Sequence, residues 1–230
     1  MEMAFIVLWN NWSKALQIDF ICTDPKHPIN PMLCHWIEKS SNTHILRLSR
    51  KKSELTGGDI LFLISCHEYI GLEIRQCYRN TLILHASELP IGRGWSPHVW
   101  TILNGGKEIV VTLLEAEDKI DSGDIWAQRR IMLEGHELSD EINELLFQAE
   151  IELIEYAIDN YTDIKKRSQN DSQATYFKRR TPLDSRIHPE KNIASQFDLL
   201  RVVDNERYPA FFDFRGHRYY LKIYKEPIDG

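Results

Sequence analysis

The sequence predicts an α/β fold, namely a doubly wound, mostly parallel sheet followed by a small C-terminal appendage of one helix and a β-hairpin. Short apolar runs alternate with helix-sized segments over the first 160 residues, as in consecutive βαβ units. One run, Asp59–Ser65 (DILFLIS), is almost wholly apolar, which is typical of a strand buried on both faces of a parallel sheet. We divide the chain into a core (1–160), a linker (161–175) and a C-terminal extension (176–230).

The apolar runs predict seven core strands. In chain order they are Ala4–Leu8, Ile18–Cys22, His44–Leu48, Asp59–Ser65, Thr81–Ala86, Ile109–Leu114 and Ile125–Met132. Helices are predicted at Met32–Ile37, which follows Pro31, and at Glu68–Cys77. A long helix is predicted over Leu138–Ile158, where apolar residues keep helical spacing and Ser139 is the expected N-cap.

The composition changes after the long helix. Tyr161–Gln173 is polar and predicts a linker or surface loop. Asn192–Val203 predicts a short amphipathic helix, and two alternating apolar runs around Arg215 and Gly216 predict a β-hairpin over Ala210–Tyr224.

Charge and composition narrow the class of protein. The chain has 230 residues, a net charge of -6 and 43% hydrophobic residues, which is typical of a globular protein. The acidic balance favours neither nucleic acid nor an anionic membrane surface, and because the sequence has no apolar run of 18 or more residues we expect no insertion into a membrane. The four cysteines lie in apolar stretches without C-x-x-C spacing, so we expect reduced thiols, no metal site and a cytoplasmic location.

Two segments carry residues suited to acid–base chemistry. His85 ends a predicted buried strand, at the edge where doubly wound sheets bind ligands, and a loop rich in Gly and Pro follows it. Ile120–Asp124 places two carboxylates, Asp121 and Asp124, around a glycine. Taken alone, a histidine at a strand end is more often structural and a D-x-G-D loop is more often a turn. These residues therefore allow two interpretations: a His/Asp acid–base pair, or a structural histidine and a turn.

The motifs around these residues resemble a known family. H-x-S-x-L-P-x-x-R-G-x-x-P from His85 to Pro97, followed by I-D-S-G-D-I, resembles the folate-dependent formyltransferases. R-R-T-P at 179–182 resembles the segment after the core in the tRNA and sugar members. The tail N-E-R-Y-P-A-F-F at 205–212 resembles amino-sugar N-formyltransferases of nonulosonic-acid pathways.

The resemblance implies a donor, an acceptor and a set of site residues. The donor is N10-formyltetrahydrofolate, a co-substrate, and the acceptor is the amine of a nucleotide-linked 4-amino-4,6-dideoxy sugar, with UDP as the expected nucleotide. His85 is implied as the residue that stabilises the tetrahedral intermediate, and Asp124 as its partner. Folate-binding residues are Ser65, Cys66, Leu84, Glu115 and Asp121, and substrate-binding residues are Ser87, Arg93, Gly94, Trp95, Asn205 and Tyr208.

One departure from the family pattern concerns Ile83. Family members usually carry asparagine two residues before the histidine, and here that position is Ile83. An oxyanion donor is typically worth about 3 kcal/mol of barrier. Its replacement is expected from His85 itself, from a backbone N–H or from the Ser65–His67 segment. The rival hypothesis is a weak or inactive protein that binds folate or a nucleotide.

Three acceptors are compared. The tRNA-modifying members carry an added basic domain, whereas only residues 183–230 follow the R-R-T-P segment in this acidic chain, so tRNA is disfavoured. Glycinamide ribonucleotide stays an alternative, although its enzymes lack R-R-T-P. The family resemblance further implies a homodimer.

Overall fold

The computed structural model describes residues 15–226, so the predicted strand Ala4–Leu8 lies outside the described residues. The strands are β1 (Gln17–Ile21), β2 (Ile45–Ser49), β3 (Gly58–Leu63), β4 (Tyr78–His85), β5 (Arg93–Gly94), β6 (Glu108–Glu115), β7 (Ile125–Met132), β8 (Tyr176–Phe177), β9 (Ala210–Phe214) and β10 (His217–Leu221). The α-helices are α1 (Asn30–Ser40), α2 (Leu72–Arg75), α3 (Pro97–Leu103), α4 (Ser139–Asp159) and α5 (Phe197–Arg201).

The central sheet has six strands in the order β2-β1-β3-β4-β6-β7. Strands β1 to β4 pair in parallel, whereas β6 and β7 are antiparallel to their neighbours. The mostly parallel, doubly wound sheet predicted from the sequence is therefore confirmed. The chain runs from β1 to β2 on one side and then crosses to β3 on the other side of β1, and this change of direction creates a crevice at the carboxyl ends of β1 and β3. The backbone N–H of His67, after β3, donates to Thr23 Oγ1, after β1, at 3.0 Å across this crevice.

The side chains on the two faces of the central sheet have different surroundings. One face packs against α1 and α4, with Phe20 stacked on Phe62 at 5.3 Å and the edge of Trp36 against Phe20. Because side chains alternate along a strand, Leu84 of β4 belongs to this apolar core, whereas Ile83 and His85 point to the other face. The second face of β4 therefore carries His85, the residue that the sequence analysis singled out.

Several predicted elements differ from the structure in length. The helix predicted over Glu68–Cys77 is reduced to α2, because the backbone is still extended at Gly71 and becomes helical only at Leu72. Helix α4 matches its prediction, but its N-cap is Leu138, whose N–H bonds to the Glu141 carboxylate at 2.8 Å. The predicted helix over 192–203 contains only one 3₁₀ turn and the short α5, and the predicted hairpin is present as β9 and β10.

The segment predicted as a linker packs against the core. Arg167 forms two backbone hydrogen bonds with Ile125, at 2.8 and 2.9 Å, and β8 pairs in parallel with β5. Residues 167–177 thus join the strand-end loops. Among the helices within residues 15–226, none combines the length and apolarity that a bilayer requires.

Candidate active site

His85 is the last residue of β4 and its imidazole is 7% exposed. Its Nε2 lies 2.9 Å from the carbonyl oxygen of Gly92, and its Nδ1 lies 3.6 Å from Oδ2 of Asp121. A carbonyl oxygen only accepts hydrogen bonds, so the Nε2 atom carries the hydrogen in this contact. In the neutral imidazole this places the basic lone pair on Nδ1, which faces the carboxylate.

Asp121 lies in the loop between β6 and β7 and is 9% exposed. Its Oδ2 accepts a hydrogen bond from the Gly94 backbone N–H at 2.8 Å, so the carboxylate joins the loop after β4 to the loop after β6. The residue has a left-handed backbone with φ of 51°. A Cβ atom on the following Gly123 would lie 2.0 Å from the Glu115 carbonyl oxygen, so only glycine allows this close turn.

The partner of His85 is therefore Asp121 and not Asp124, the residue predicted for this role. Asp124 stands just before β7, and its carbonyl oxygen accepts the Glu115 N–H at 3.0 Å. No hydrogen bond or ion pair found in residues 15–226 joins its carboxylate to His85. The spacing of the motif brings both carboxylates to the loop, but the left-handed turn decides which one reaches the imidazole.

Arg93 was predicted to bind substrate, but its guanidinium is fully buried and already partnered. Nη2 donates to Gln169 Oε1 at 2.7 Å and to Asp171 Oδ1 at 2.8 Å, and Nη1 donates to the Tyr176 hydroxyl at 3.3 Å. A fully buried guanidinium does not reach a ligand, so the structure corrects the prediction. Arg93 fastens the loop after His85 to residues 169–176.

Gln169 is a site residue that the sequence analysis missed. Besides accepting from Arg93, its amide nitrogen donates to the carbonyl oxygens of Asp121 at 2.9 Å and Gly123 at 2.7 Å. One side chain thus connects the loop after β4 with the loop that carries the Asp121 carboxylate. Its position in a polar segment that resembles a linker gave no signal for this contact.

The other predicted substrate-binding residues fall into two groups. Ser87 is 5% exposed beneath Gly92, and its carbonyl oxygen accepts from Thr112, while the amide of Asn205 is used by the backbone of Ile223. The Asn205 amide is therefore already occupied, whereas the buried Ser87 hydroxyl has no hydrogen-bond partner within residues 15–226. Trp95 and Tyr208 are exposed and form part of the surface near the site, and Gly94 contributes only its bond to Asp121.

The predicted folate-binding residues lie on different parts of the sheet. Ser65 has a left-handed backbone, and burial raises the pKa of the neighbouring Cys66 thiol. Glu115 binds Asn80 and Lys166 through its carboxylate. Leu84 packs into the core on the face opposite His85, so its side chain does not line this site.

Ile83 stands on the same face of β4 as His85, two residues earlier. It packs against Leu89, Leu114 and Ile125 in a small apolar cluster. The structure thus places a hydrocarbon side chain where the family pattern has an amide.

Comparison with known proteins gives the family and the fold of the chain. The family model described as "Formyl transferase" matches residues 38–158, which is 121 of the 230 residues. A methionyl-tRNA formyltransferase from Clostridium thermocellum has the same fold with a TM-score of 0.76 at 22% identity, over 92% of this chain and 94% of that one. A sugar N-formyltransferase from a Shewanella species superposes with a TM-score of 0.69 at 16% identity, over 93% and 99%.

A third similar structure is that of HypX from Aquifex aeolicus in complex with tetrahydrofolic acid. It has a TM-score of 0.75 at 20% identity and covers 90% of this chain, which corresponds to only 37% of HypX. At these identities the superpositions show the fold. The family model, which covers more than half of the chain, identifies it as a member of the formyl transferase family.

Proposed function

We propose that the protein transfers the formyl group of N10-formyltetrahydrofolate to the primary amine of a nucleotide-linked 4-amino-4,6-dideoxy sugar, with UDP as the nucleotide. The observation that carries the proposal is the buried pair of His85 and Asp121, held in one orientation by Gly92 and Gly94. A basic nitrogen beside a carboxylate is what an attacking amine requires, since its proton must leave as the new C–N bond forms.

The reaction needs two kinds of assistance. The amine nitrogen attacks the formyl carbon, which creates a negative oxygen and a positive nitrogen in one tetrahedral intermediate. His85 Nδ1 takes the proton from that nitrogen, directly or through water, while Asp121 stabilises the imidazolium formed. The bond to N10 then breaks as N10 receives a proton. The products are a formamide and tetrahydrofolate, so atoms and charge balance.

The folate would lie at the carboxyl ends of β3 and β6. A pterin carries a row of donors and acceptors along one edge, which suits backbone groups that are not already paired. The backbone N–H groups of Glu117, Asp118 and Lys119 lie beyond the end of β6, and none of the hydrogen bonds found within residues 15–226 uses them. The similar structure of HypX with tetrahydrofolic acid supports a folate as the donor.

The choice of acceptor is supported by charge and by similarity. A tRNA acceptor would require many phosphate contacts, whereas this chain carries a net charge of -6. The Shewanella relative acts on sugars according to its description, and it matches along 99% of its length. An amino sugar is a small primary amine that fits a crevice at a strand end. We also propose that the protein acts as a homodimer.

The experiment is a release assay with purified protein, N10-formyltetrahydrofolate and a panel of UDP-linked 4-amino sugars. We expect tetrahydrofolate to form only when the amino sugar is present, and its formation to disappear in His85→Asn. Glycinamide ribonucleotide is included in the panel as the alternative acceptor. Binding of folate without release, with every amine tested, would support the rival hypothesis of a non-catalytic binder, which the hydrocarbon at Ile83 favours.

A further inference from the structure

A cluster of histidine and arginine side chains lies beside the loops that follow β1 and β3, although the chain as a whole is acidic. We call it the basic rim, and its members are His27, His67, His98, Arg179, Arg180 and Arg207. They come from five separate stretches of chain, which the fold brings close to one another. Arg207 pairs with Asp24 at 2.7 Å, and the His67 ring lies 6.1 Å from the Trp95 ring.

The basic rim adjoins the acid–base pair. His98 follows Ser96 and Pro97 at the start of α3, and burial lowers its pKa to about 4, with further contributions from the nearby Arg180 and His85. Arg180 is itself partly buried, which lowers the pKa of its guanidinium. These mutual effects place Arg180 and His98 on the side of the site where His85 lies.

Two adjacent arginines of the basic rim have no anionic partner within residues 15–226. Arg179 stacks over the Trp95 ring at 4.8 Å and forms no ion pair there. The hydrogen bond found for Arg180 goes to the neutral hydroxyl of Ser185, at 3.4 Å. The nearest acidic residue in the sequence, Asp184, is already held by Lys178 at 2.9 Å. No ion pair within residues 15–226 therefore neutralises Arg179 or Arg180, although Asp184 lies close enough to offset part of the charge of Arg180.

Two side-chain nitrogens of the basic rim are buried without a hydrogen-bond partner in the described part of the chain. They are Nε of Arg180 and Nδ1 of His98. A buried polar group without a partner typically costs about 1–3 kcal/mol, and more where it is charged. An anion bound between these residues would accept a hydrogen bond from the Arg180 guanidinium and neutralise its positive charge.

We propose that Arg179 and Arg180 bind the diphosphate of the nucleotide-linked acceptor beside His98. Two guanidinium groups match two phosphoryl groups, because each planar fork donates a pair of hydrogen bonds to phosphate oxygens. Arg179 already lies over the Trp95 ring, so Tyr208, which is 52% exposed, is the aromatic side chain that offers a ring face for the uracil base. The proposal deepens the proposed function and rests on its nucleotide-linked acceptor.

The competing anion is the glutamate tail of the folate. A tail carboxylate carries one charge on a flexible chain, whereas the basic rim presents two adjacent guanidinium groups and exposed aromatic rings. The observations favour the diphosphate, and the test separates the two ligands by measuring each of them alone.

The test is calorimetric titration of UDP and of inorganic pyrophosphate into the protein without donor. We expect both to bind to the wild-type protein, and the affinity for each to fall at least tenfold in Arg179→Gln and further in Arg179→Gln with Arg180→Gln. The matched control is Arg218→Gln, an arginine on β10 that pairs with Asp213 at 2.8 Å. It should leave both affinities unchanged, and thermal unfolding should confirm that each variant is folded.

Three results would overturn the proposal. One is an unchanged UDP affinity in folded Arg179→Gln, which is the exposed member of the pair and the one least needed for folding. Another is a loss of tetrahydrofolate affinity with UDP affinity retained, which would assign the basic rim to the folate tail. The third is formyl transfer to an amino sugar by a protein that binds neither UDP nor pyrophosphate, in which case the formyltransferase function survives and the diphosphate site fails.

Discussion

Replacing Gln169 by alanine tests whether residues 167–177 hold the catalytic loops in place. The side chain accepts a hydrogen bond from Arg93 at 2.7 Å and donates to the carbonyl oxygens of Asp121 at 2.9 Å and Gly123 at 2.7 Å. Gln169→Ala removes all three contacts. It leaves Arg93 with Asp171 and Tyr176 as partners, and it frees the turn that aims the Asp121 carboxylate at His85.

The expected loss of stability in Gln169→Ala follows from these three hydrogen bonds. A bond between neutral groups contributes about 1 kcal/mol net, and a bond to a charged group about 1.5–3 kcal/mol. The sum is about 4 kcal/mol, and partial exposure of Gln169 lets water replace part of it. We therefore expect the free energy of unfolding to fall by about 2 kcal/mol. A displaced Asp121 should lower kcat about tenfold, because small misplacements of a catalytic group are costly, while KM for the acceptor stays close to its original value.

Urea unfolding followed by tryptophan fluorescence measures the stability, and initial rates of tetrahydrofolate release measure kcat and KM. Gln173→Ala is the matched control, since that side chain is exposed and none of the hydrogen bonds found in residues 15–226 involves its amide. A Gln169→Ala protein with wild-type stability and wild-type kcat would refute the idea that this segment positions the site.

Three further changes test the site and the core. Asp121→Asn should lower kcat at least about 100-fold, while Asp124→Asn should change initial rates little; equal losses would contradict the assigned pairing. Ile83→Asn places an amide on the face of His85, so we expect kcat to rise, and a fall in a folded variant would indicate that the oxyanion is already stabilised. Burial raises the pKa of Glu150 in α4 to about 8. The Glu150 carboxyl therefore loses its proton at lower pH in the unfolded protein than in the folded protein. The wild type should then lose up to about 5 kcal/mol of stability between pH 4.5 and 8, and a Glu150→Gln protein with the same pH dependence would contradict this.

The sequence predicts the parallel sheet and the position of His85 because both depend on local patterns. Buried parallel strands are continuous apolar runs, and β3 and β4 show such runs. A histidine directly after one of these runs must lie at the end of the strand. The order of the two motifs then indicated which loop would meet it.

The choice between Asp121 and Asp124 could not be made from spacing. Both carboxylates flank Gly123, and the backbone angles of the turn decide which one reaches His85. The left-handed conformation at Asp121 is stabilised by contacts with Gly94 and Gln169, which lie 27 and 48 positions away in the chain. A local pattern carries no information about such distant partners.

Partners that are distant in the chain also explain why Arg93 is buried and does not have the predicted role in binding substrate. Arg93 was predicted to bind substrate because it lies in the motif that resembles the family and because a nucleotide-linked sugar needs a cation for its diphosphate. Its partners Gln169 and Asp171 come from the segment that the composition indicated as a linker. Only the folded chain shows that this segment closes over the guanidinium.

The most direct test of the central claim is transfer of a labelled formyl group. N10-[13C]formyltetrahydrofolate is mixed with a UDP-linked 4-amino sugar and the protein, and carbon NMR follows the label. We predict a new formamide signal on the sugar nitrogen that forms with the wild-type protein and with Asp124→Asn, and that is lost with His85→Asn and Asp121→Asn. A labelled sugar that forms equally well with the His85→Asn protein, or no labelled product from the folded wild-type protein with any amino sugar, would contradict the account.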